Sequence, residues 1–180
     1  MKLFGHASGG YLAARLATKS MGLSESEREK LLVIGTVAGT LPDWDYFWYA
    51  YQKRGFAYSN DFRHHTWVTH TFPFHWLIAT LLYVFGLLRK DKQLKNSAVV
   101  LAAGTTTHLL QDMVGTGDGI MLYYPFSKKM TGIGLLNVHG DEWERAYTKS
   151  PYYLVELAFG AVAIIGVLFD IFKKKSKRNN

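Results

Sequence analysis

Residues 152–172 form an almost unbroken apolar run, with Glu156 near its start and Asp170 near its end. That is about the length a bilayer crossing requires. A segment in lipid must also close its backbone hydrogen bonds on itself, as a helix does. Residues 71–88 make a second run of this kind. Residues 97–110 are shorter and carry three threonines and a histidine. Residues 8–19 and 31–41 are shorter still, and either span partly or pack inside a bundle. The expectation is an all-α, multi-pass membrane helical bundle. A soluble all-α domain with buried helices is the alternative, kept open by a mean hydropathy of −0.03.

The chain shows no low-complexity linker, internal repeat or break in composition, so one domain over residues 1–180 is expected. Leu12 and Leu16, with Ala13 and Ala17, recur at helical spacing. Ser24 lies three residues before Glu27, a capping-box pattern that starts the second helix. Pro42 is expected to close that helix, and residues 46–63 to form a short helix or loop. Residues 114–151 read as a long, glycine-containing connection, of the kind that is usually functional or disordered. The N-terminus has no continuous apolar core, so no cleavable signal peptide is expected.

If the apolar segments run up and down in order, the histidines and paired aspartates all reach one end. Segment one leaves that end after His6, and segment two returns to it at Asp43 and Asp45. Segment three leaves at His70, and segment four returns at His108 and Asp112. The opposite end holds most of the basic residues, among them Lys19, Arg28, Arg89, Lys90, Lys173 and Lys174. The positive-inside rule then places the C-terminus in the cytoplasm and the histidine end outside. The net charge of +7 is carried largely by these flanking runs. Nucleic acid binding, which calls for basic residues interleaved with aromatics on one face, is not expected.

With no cysteine in the chain, any metal must take nitrogen and oxygen ligands. His108 and Asp112, four apart, share one helical face and can bridge a metal. Asp43 and Asp45 follow the proline that ends segment two. Carboxylates at a helix C-terminus are electrostatically awkward, and a bound cation would relieve them. A solvated turn in which the aspartate caps the next element is the plainer local reading. His65 and His70 cannot share one helical face, because five residues turn about 140°, but a loop feeding a helix can present both. His75 reads as a core histidine with a single hydrogen bond, and His139 as a surface residue. Each pair alone has a bland explanation, but four separate stretches supplying ligands at one end point to a metal site.

The order of these residues resembles the YdjM-like predicted membrane-bound metal-dependent hydrolases. It runs His6, Leu41-Pro42-Asp43-Trp44-Asp45, His65 through Thr69-His70-Thr71, His108-x-x-x-Asp112, then Tyr124-Pro125-Phe126-Ser127. That family is distantly similar to the zinc phospholipase C and single-strand nuclease superfamily of helical proteins. The resemblance covers residues 1–127 and leaves out the final apolar segment at 152–172. It implies His6, Asp45, His65, His70, His108 and Asp112 as metal ligands, with Asp43 a ligand or supporting group. Thr66 stands where the family tends to have arginine, and Arg63 is the neighbouring cation. There is no equivalent of the downstream His-x-x-x-Glu that completes a third metal site in the secreted relatives, so one or two ions are expected.

The function expected on these grounds is hydrolysis of a phosphoester at the membrane, such as a phospholipid or lipid-linked phosphate. Zn²⁺, or Mn²⁺ in its place, would activate water and polarise the phosphoryl group. Asp43 is the expected general base or orienting group, with Arg63 and Lys128 binding the substrate's charge. The 115–119 loop could lend backbone amides to an anion, although a flexible turn explains it as well. A membrane di-iron oxidase is a rival, but the chain lacks the His-x-x-His-His runs of that class. A non-catalytic metal-binding membrane protein is the other.

Overall fold

A computed structural model describes residues 1–53, 64–115, 119–133, 136 and 141–179. The α-helices among them are α1 Leu3–Ala17, α2 Glu25–Ala38, α3 Asp45–Lys53, α4 Phe72–Leu88, α5 Lys92–Gly115, α6 Asp141–Thr148 and α7 Pro151–Asn179. No strand occurs among the described residues; one isolated bridge joins Ile120 to Thr131. The all-α expectation therefore holds.

The capping box at the start of α2 forms as its sequence predicts. Glu27 N donates to Ser24 Oγ at 3.3 Å, and Ser24 N donates to Glu27 Oε2 at 2.8 Å, so two of the helix's free N–H groups are satisfied. Four other expectations need correction. α2 stops at Ala38, and Pro42 opens a separate 3-10 turn, Leu41–Trp44. Proline suits such a first turn because its missing N–H has no partner there to lose. Asp45 thus heads α3, where the helix dipole favours an anion, and no helix C-terminus repels it. His6 lies inside α1 and does not precede it. The 114–151 connection contains α6, a charged helix too short to show an apolar period, and α5 begins at Lys92, well before residue 97.

Small residues bring the helices together. A side chain on Gly10 would lie 2.2 Å from the Gly35 carbonyl oxygen, and one on Gly39 2.3 Å from that of His6. α1 and α2 therefore cross with their backbones in contact, in the manner of membrane helices. Gly104 of α5 meets Ala38 and Gly35 in the same way. Tyr11, Ala14, Leu31, Leu32, Val100 and Ala163 fill the core beside this crossing. α7 runs parallel to α1, with Glu156 against Gly5, Gly160 against Phe4 and Gly166 against Tyr11.

Only Pro151–Ser176 among the described helices is long and apolar enough to cross a bilayer; Phe72–Leu88 is apolar but shorter. Both carry large exposed apolar side chains, including Leu77, Leu81 and Phe85 on α4 and Val162, Ile165 and Phe169 on α7. An apolar surface of that extent marks contact with lipid or protein rather than water.

Candidate metal centre

The up-and-down order of the helices gathers the histidines and aspartates at one end, beneath the α1–α2 crossing. His6 comes from the first turns of α1, Asp43 from the 3-10 turn after α2, and Asp45 from the head of α3. His65 and His70 come from two short 3-10 turns, His64–Thr66 and Val68–His70, and His108 and Asp112 from the last turns of α5. The 3-10 turns present His65 and His70 together, their rings 5.2 Å apart, as a continuous helix could not.

At the centre, one ligand atom each from Asp43, His70, His108 and Asp112 lies within 4.8 Å of the others. His108 Nε2 is 3.0 Å from Asp112 Oδ2 and 3.6 Å from Asp43 Oδ1. His70 Nε2 is 3.4 Å from Asp43 Oδ1 and 3.8 Å from Asp112 Oδ2. Ligand atoms around one tetrahedral ion with bonds near 2.0–2.1 Å sit about 3.3 Å from one another, so these four separations match a cation's coordination edges.

The histidine orientations also suit a cation. His108 Nδ1 donates to the Gly39 carbonyl at 2.7 Å. That fixes the tautomer and leaves a lone pair on Nε2, a buried atom with no hydrogen bond of ordinary geometry. Histidine ligands of metals are held this way. On His70, Nδ1 is 3.2 Å from Asp45 Oδ2, which also accepts from Thr69 Oγ1 at 2.9 Å. Asp45 therefore lies behind His70, buttressing it, and outside the four-atom group. His6 stacks on His108 at 3.8 Å between ring centres, with Nε2 3.2 Å from Asp112 Oδ1 and 3.9 Å from Asp43 Oδ2. His65 Nε2 is 4.0 Å from Asp112 Oδ2.

Two supporting groups carry little or no signal in the sequence. Gln111 Oε1 accepts from His6 Nδ1 at 3.0 Å while its amide donates to the Gly5 carbonyl. Its signal was a third polar residue in the His108–Asp112 stretch. The Gly39 carbonyl carried none, because any residue has one. His75 is the buried core histidine expected, bonded by Nε2 to the Thr69 carbonyl at 2.6 Å. Of the proposed substrate-binding cations, Lys128 is exposed, and Arg63 lies outside the described residues, as do His139 and residues 116–118 of the proposed anion loop.

Burial alone would make His70 a weaker base and raise Asp43, but their neighbours win. Burial pushes the His70 imidazole down, and the Asp43 and Asp45 carboxylates outweigh it, lifting the group to about 9. Burial likewise pushes Asp43 up, and His108, His70 and His6 together hold it well below the usual carboxylate range. In metal-free protein His70 therefore carries a proton where a cation would sit. The raised His70 contributes stability that is fully present below the unfolded value of about 6.5 and is lost as pH climbs through about 9. The lowered Asp43 contributes stability present above about 3.8 and lost in acid. Protein treated with EDTA should thus lose Tm as pH rises from about 6.5 toward 9.5, and should lose it again in acid. Metal affinity should rise over that same alkaline range, because binding must displace the His70 proton. Calorimetry at stepped pH checks both trends.

Fold and site together define an all-helical protein with a membrane-length apolar helix and a buried histidine–carboxylate cluster suited to a cation. The chain belongs to the YdjM inner membrane protein family, whose model matches residues 1–176. Neither the curated proteins nor the solved structures give a match to it.

Proposed function

We propose that this chain is a membrane-bound, metal-dependent hydrolase of phosphoesters at the lipid surface, related in its helical fold to zinc phospholipase C. The observation that carries the reading is His108, tied through Nδ1 to the Gly39 carbonyl so that Nε2 faces two carboxylates at ligand spacing. A mixed set of imidazoles and carboxylates suits Zn²⁺ first and Mn²⁺ second. His70, His108 and Asp112 would hold one ion and leave a position for water, with Asp43, the most exposed of the four, beside it.

The carboxylates also present their two oxygens to different imidazoles. Asp112 Oδ2 lies near His108, His70 and His65, and Oδ1 near His6. Asp43 Oδ1 lies near His70 and His108, and Oδ2 nearest His6. On the His6 side, however, Asp112 Oδ1 is paired with the Met1 amino group at 3.1 Å and His6 Nε2 lies 3.1 Å from the Met1 carbonyl, so the arrangement supports one ion, on the His70–His108 side.

A divalent cation held here supplies Lewis acidity to a phosphoryl oxygen and acidifies water. Asp43 is about 20% exposed whereas His6, His70, His108 and Asp112 are at most 2%, so it is the member an incoming substrate meets. Beside a bound cation it would be a weak base, which favours orienting a nucleophile over taking its proton outright. Trp44, Phe47, Trp48 and Tyr51, on and beside α3, are exposed next to the site, as are Tyr123 and Phe126. Exposed aromatics of this kind settle at the headgroup level, which supports a lipid substrate. The basic opposite end then faces the cytoplasm and the site the other side, with α4 and α5 accompanying α7 through the bilayer.

Detergent-purified protein loaded with Zn²⁺ or Mn²⁺ should release product from a chromogenic phosphodiester or a short-chain phospholipid. EDTA should stop the reaction, and Asp43→Asn should slow it about 100-fold or more. Metal-loaded protein that turns over none of these esters would leave the non-catalytic reading, and bound iron with visible colour would favour the oxidase.

A further inference from the structure

The end of the molecule farthest from the metal centre holds a second constellation that the hydrolase reading does not use. Asp170 of α7 is paired on both sides. Arg15 of α1 binds its Oδ2 through Nη1, and Arg28 of α2 reaches its Oδ1 at 3.3 Å. Arg15 Nη1 also donates to the Gly166 carbonyl and to Tyr11 Oη. All these bonds use Nη1 alone, and the Nη2 and Nε groups of both arginines donate to no protein acceptor among the described residues.

The pair borders a cavity of about 840 Å³ between α1, the start of α2 and α7. Its cationic lining is Arg15, Lys19, Arg28 and Lys173, against Asp170 as the sole acid. Leu12, Leu16, Phe159 and Val162 line the same cavity; Leu12 lies nearer the metal end than Arg15 and Lys19 of α1, and Phe159 and Val162 nearer it than Lys173 of α7. At 1.5 Å per residue, Phe159 and Lys173 are about 21 Å apart along α7. The cavity is thus graded along α7, with cations where the apolar span ends and deeper in a wall of half-buried Leu12 and Phe159 and exposed Val162.

We propose that this cavity is a binding site for an anionic phospholipid, its headgroup phosphate held by Arg28, Lys19, Lys173 and the unused donors of Arg15, its acyl chains against Leu12, Phe159 and Val162. Three features select a lipid. The excess of positive over negative charge calls for an anion. Guanidinium groups with free donors match a phosphate. A basic pocket between helices where a membrane span ends lies at headgroup depth. A free phosphate would leave the apolar wall without a function. Asp170 is a positioning residue: it holds the two guanidinium groups side by side.

The full-length protein, stripped of lipid in neutral detergent, is titrated with short-chain phosphatidylglycerol, with phosphatidylcholine and with inorganic phosphate, following Tm. Phosphatidylglycerol should stabilise the protein at concentrations at least about tenfold below phosphatidylcholine. Lys19→Gln with Lys173→Gln leaves the Asp170 pairs intact and should weaken phosphatidylglycerol about tenfold or more without changing the lipid-free Tm or the metal content. Arg28→Gln should weaken it further. Equal response to both lipids, or an unchanged phosphatidylglycerol titration in the lysine double variant, overturns the proposal. Stabilisation by inorganic phosphate as strong as by phosphatidylglycerol overturns the lipid assignment and leaves an anion site.

Discussion

Asp112→Ala is expected to abolish stoichiometric metal binding and to destabilise the metal-free protein as well. Asp112 is the hub of the cluster: its Oδ2 faces His108, His70 and His65, and its Oδ1 faces His6 at 3.2 Å and the Met1 amino group at 3.1 Å. Loss of an outer partner of a metal ligand typically costs about 10–100-fold in affinity, so loss of a central ligand should cost more. Removing one member of a buried charged group also strands its partners, at roughly 3–5 kcal/mol. Elemental analysis of detergent-purified wild type beside Asp112→Ala and His108→Ala reads the first effect. One or more equivalents of zinc in wild type, absent from both variants, is the expected result. A full equivalent retained in both would show that the ion sits elsewhere. Melting in EDTA reads the second effect, and there Asp112→Ala should fall below wild type.

Gly10→Ala should be nearly as damaging, although Gly10 touches no ligand. Its new Cβ would lie 2.2 Å from the Gly35 carbonyl oxygen and 2.8 Å from Gly39 Cα. Both obstacles are backbone, so relief requires α1 and α2 to separate. Overpacking costs about 1–3 kcal/mol where side chains can adjust, and a backbone clash belongs at or above the top of that range. The expected fall in Tm is roughly 5–10 °C. Separation also moves the Gly39 carbonyl that orients His108 away from His6, so zinc affinity should drop together with stability. Gly22→Ala is the control. Gly22 has φ +59°, and a Cβ there would meet nothing within 4 Å, so the change strains one turn by about 1 kcal/mol and should leave metal binding untouched. Wild-type zinc content and Tm in Gly10→Ala would show that the crossing is looser than its distances imply.

The candidate centre was legible because histidine and aspartate are conspicuous at the ends of apolar runs. His6, Asp43, His65, His70, His108 and Asp112 converge as the up-and-down order of the segments requires. Elsewhere the local signals are ambiguous. Pro42 can end one helix or open the next turn, and only the chain path shows that it opens a 3-10 turn and leaves Asp45 at the head of α3. α6 is short and charged, and its hold on the fold is tertiary: Tyr147 is buried, stacked on Trp143, and hydrogen-bonded to Glu156 of α7. Asp43 and Asp45 are chemically alike in sequence, yet one faces His108 and the other lies behind His70.

The sequence by itself determined the helical class, the lipid-compatible α7, the membership in the YdjM family and the identity of the metal-competent side chains. Apolar length, residue chemistry and residue order are properties of a linear chain. The tertiary structure alone decided which oxygen faces which imidazole, that the Gly39 carbonyl sets the His108 tautomer, and that Asp170 gathers Arg15 and Arg28. Those depend on separations of a few ångströms between segments distant in sequence, and the glycine-lined crossing of α1 and α2 sets them through backbone contact that no side-chain pattern encodes.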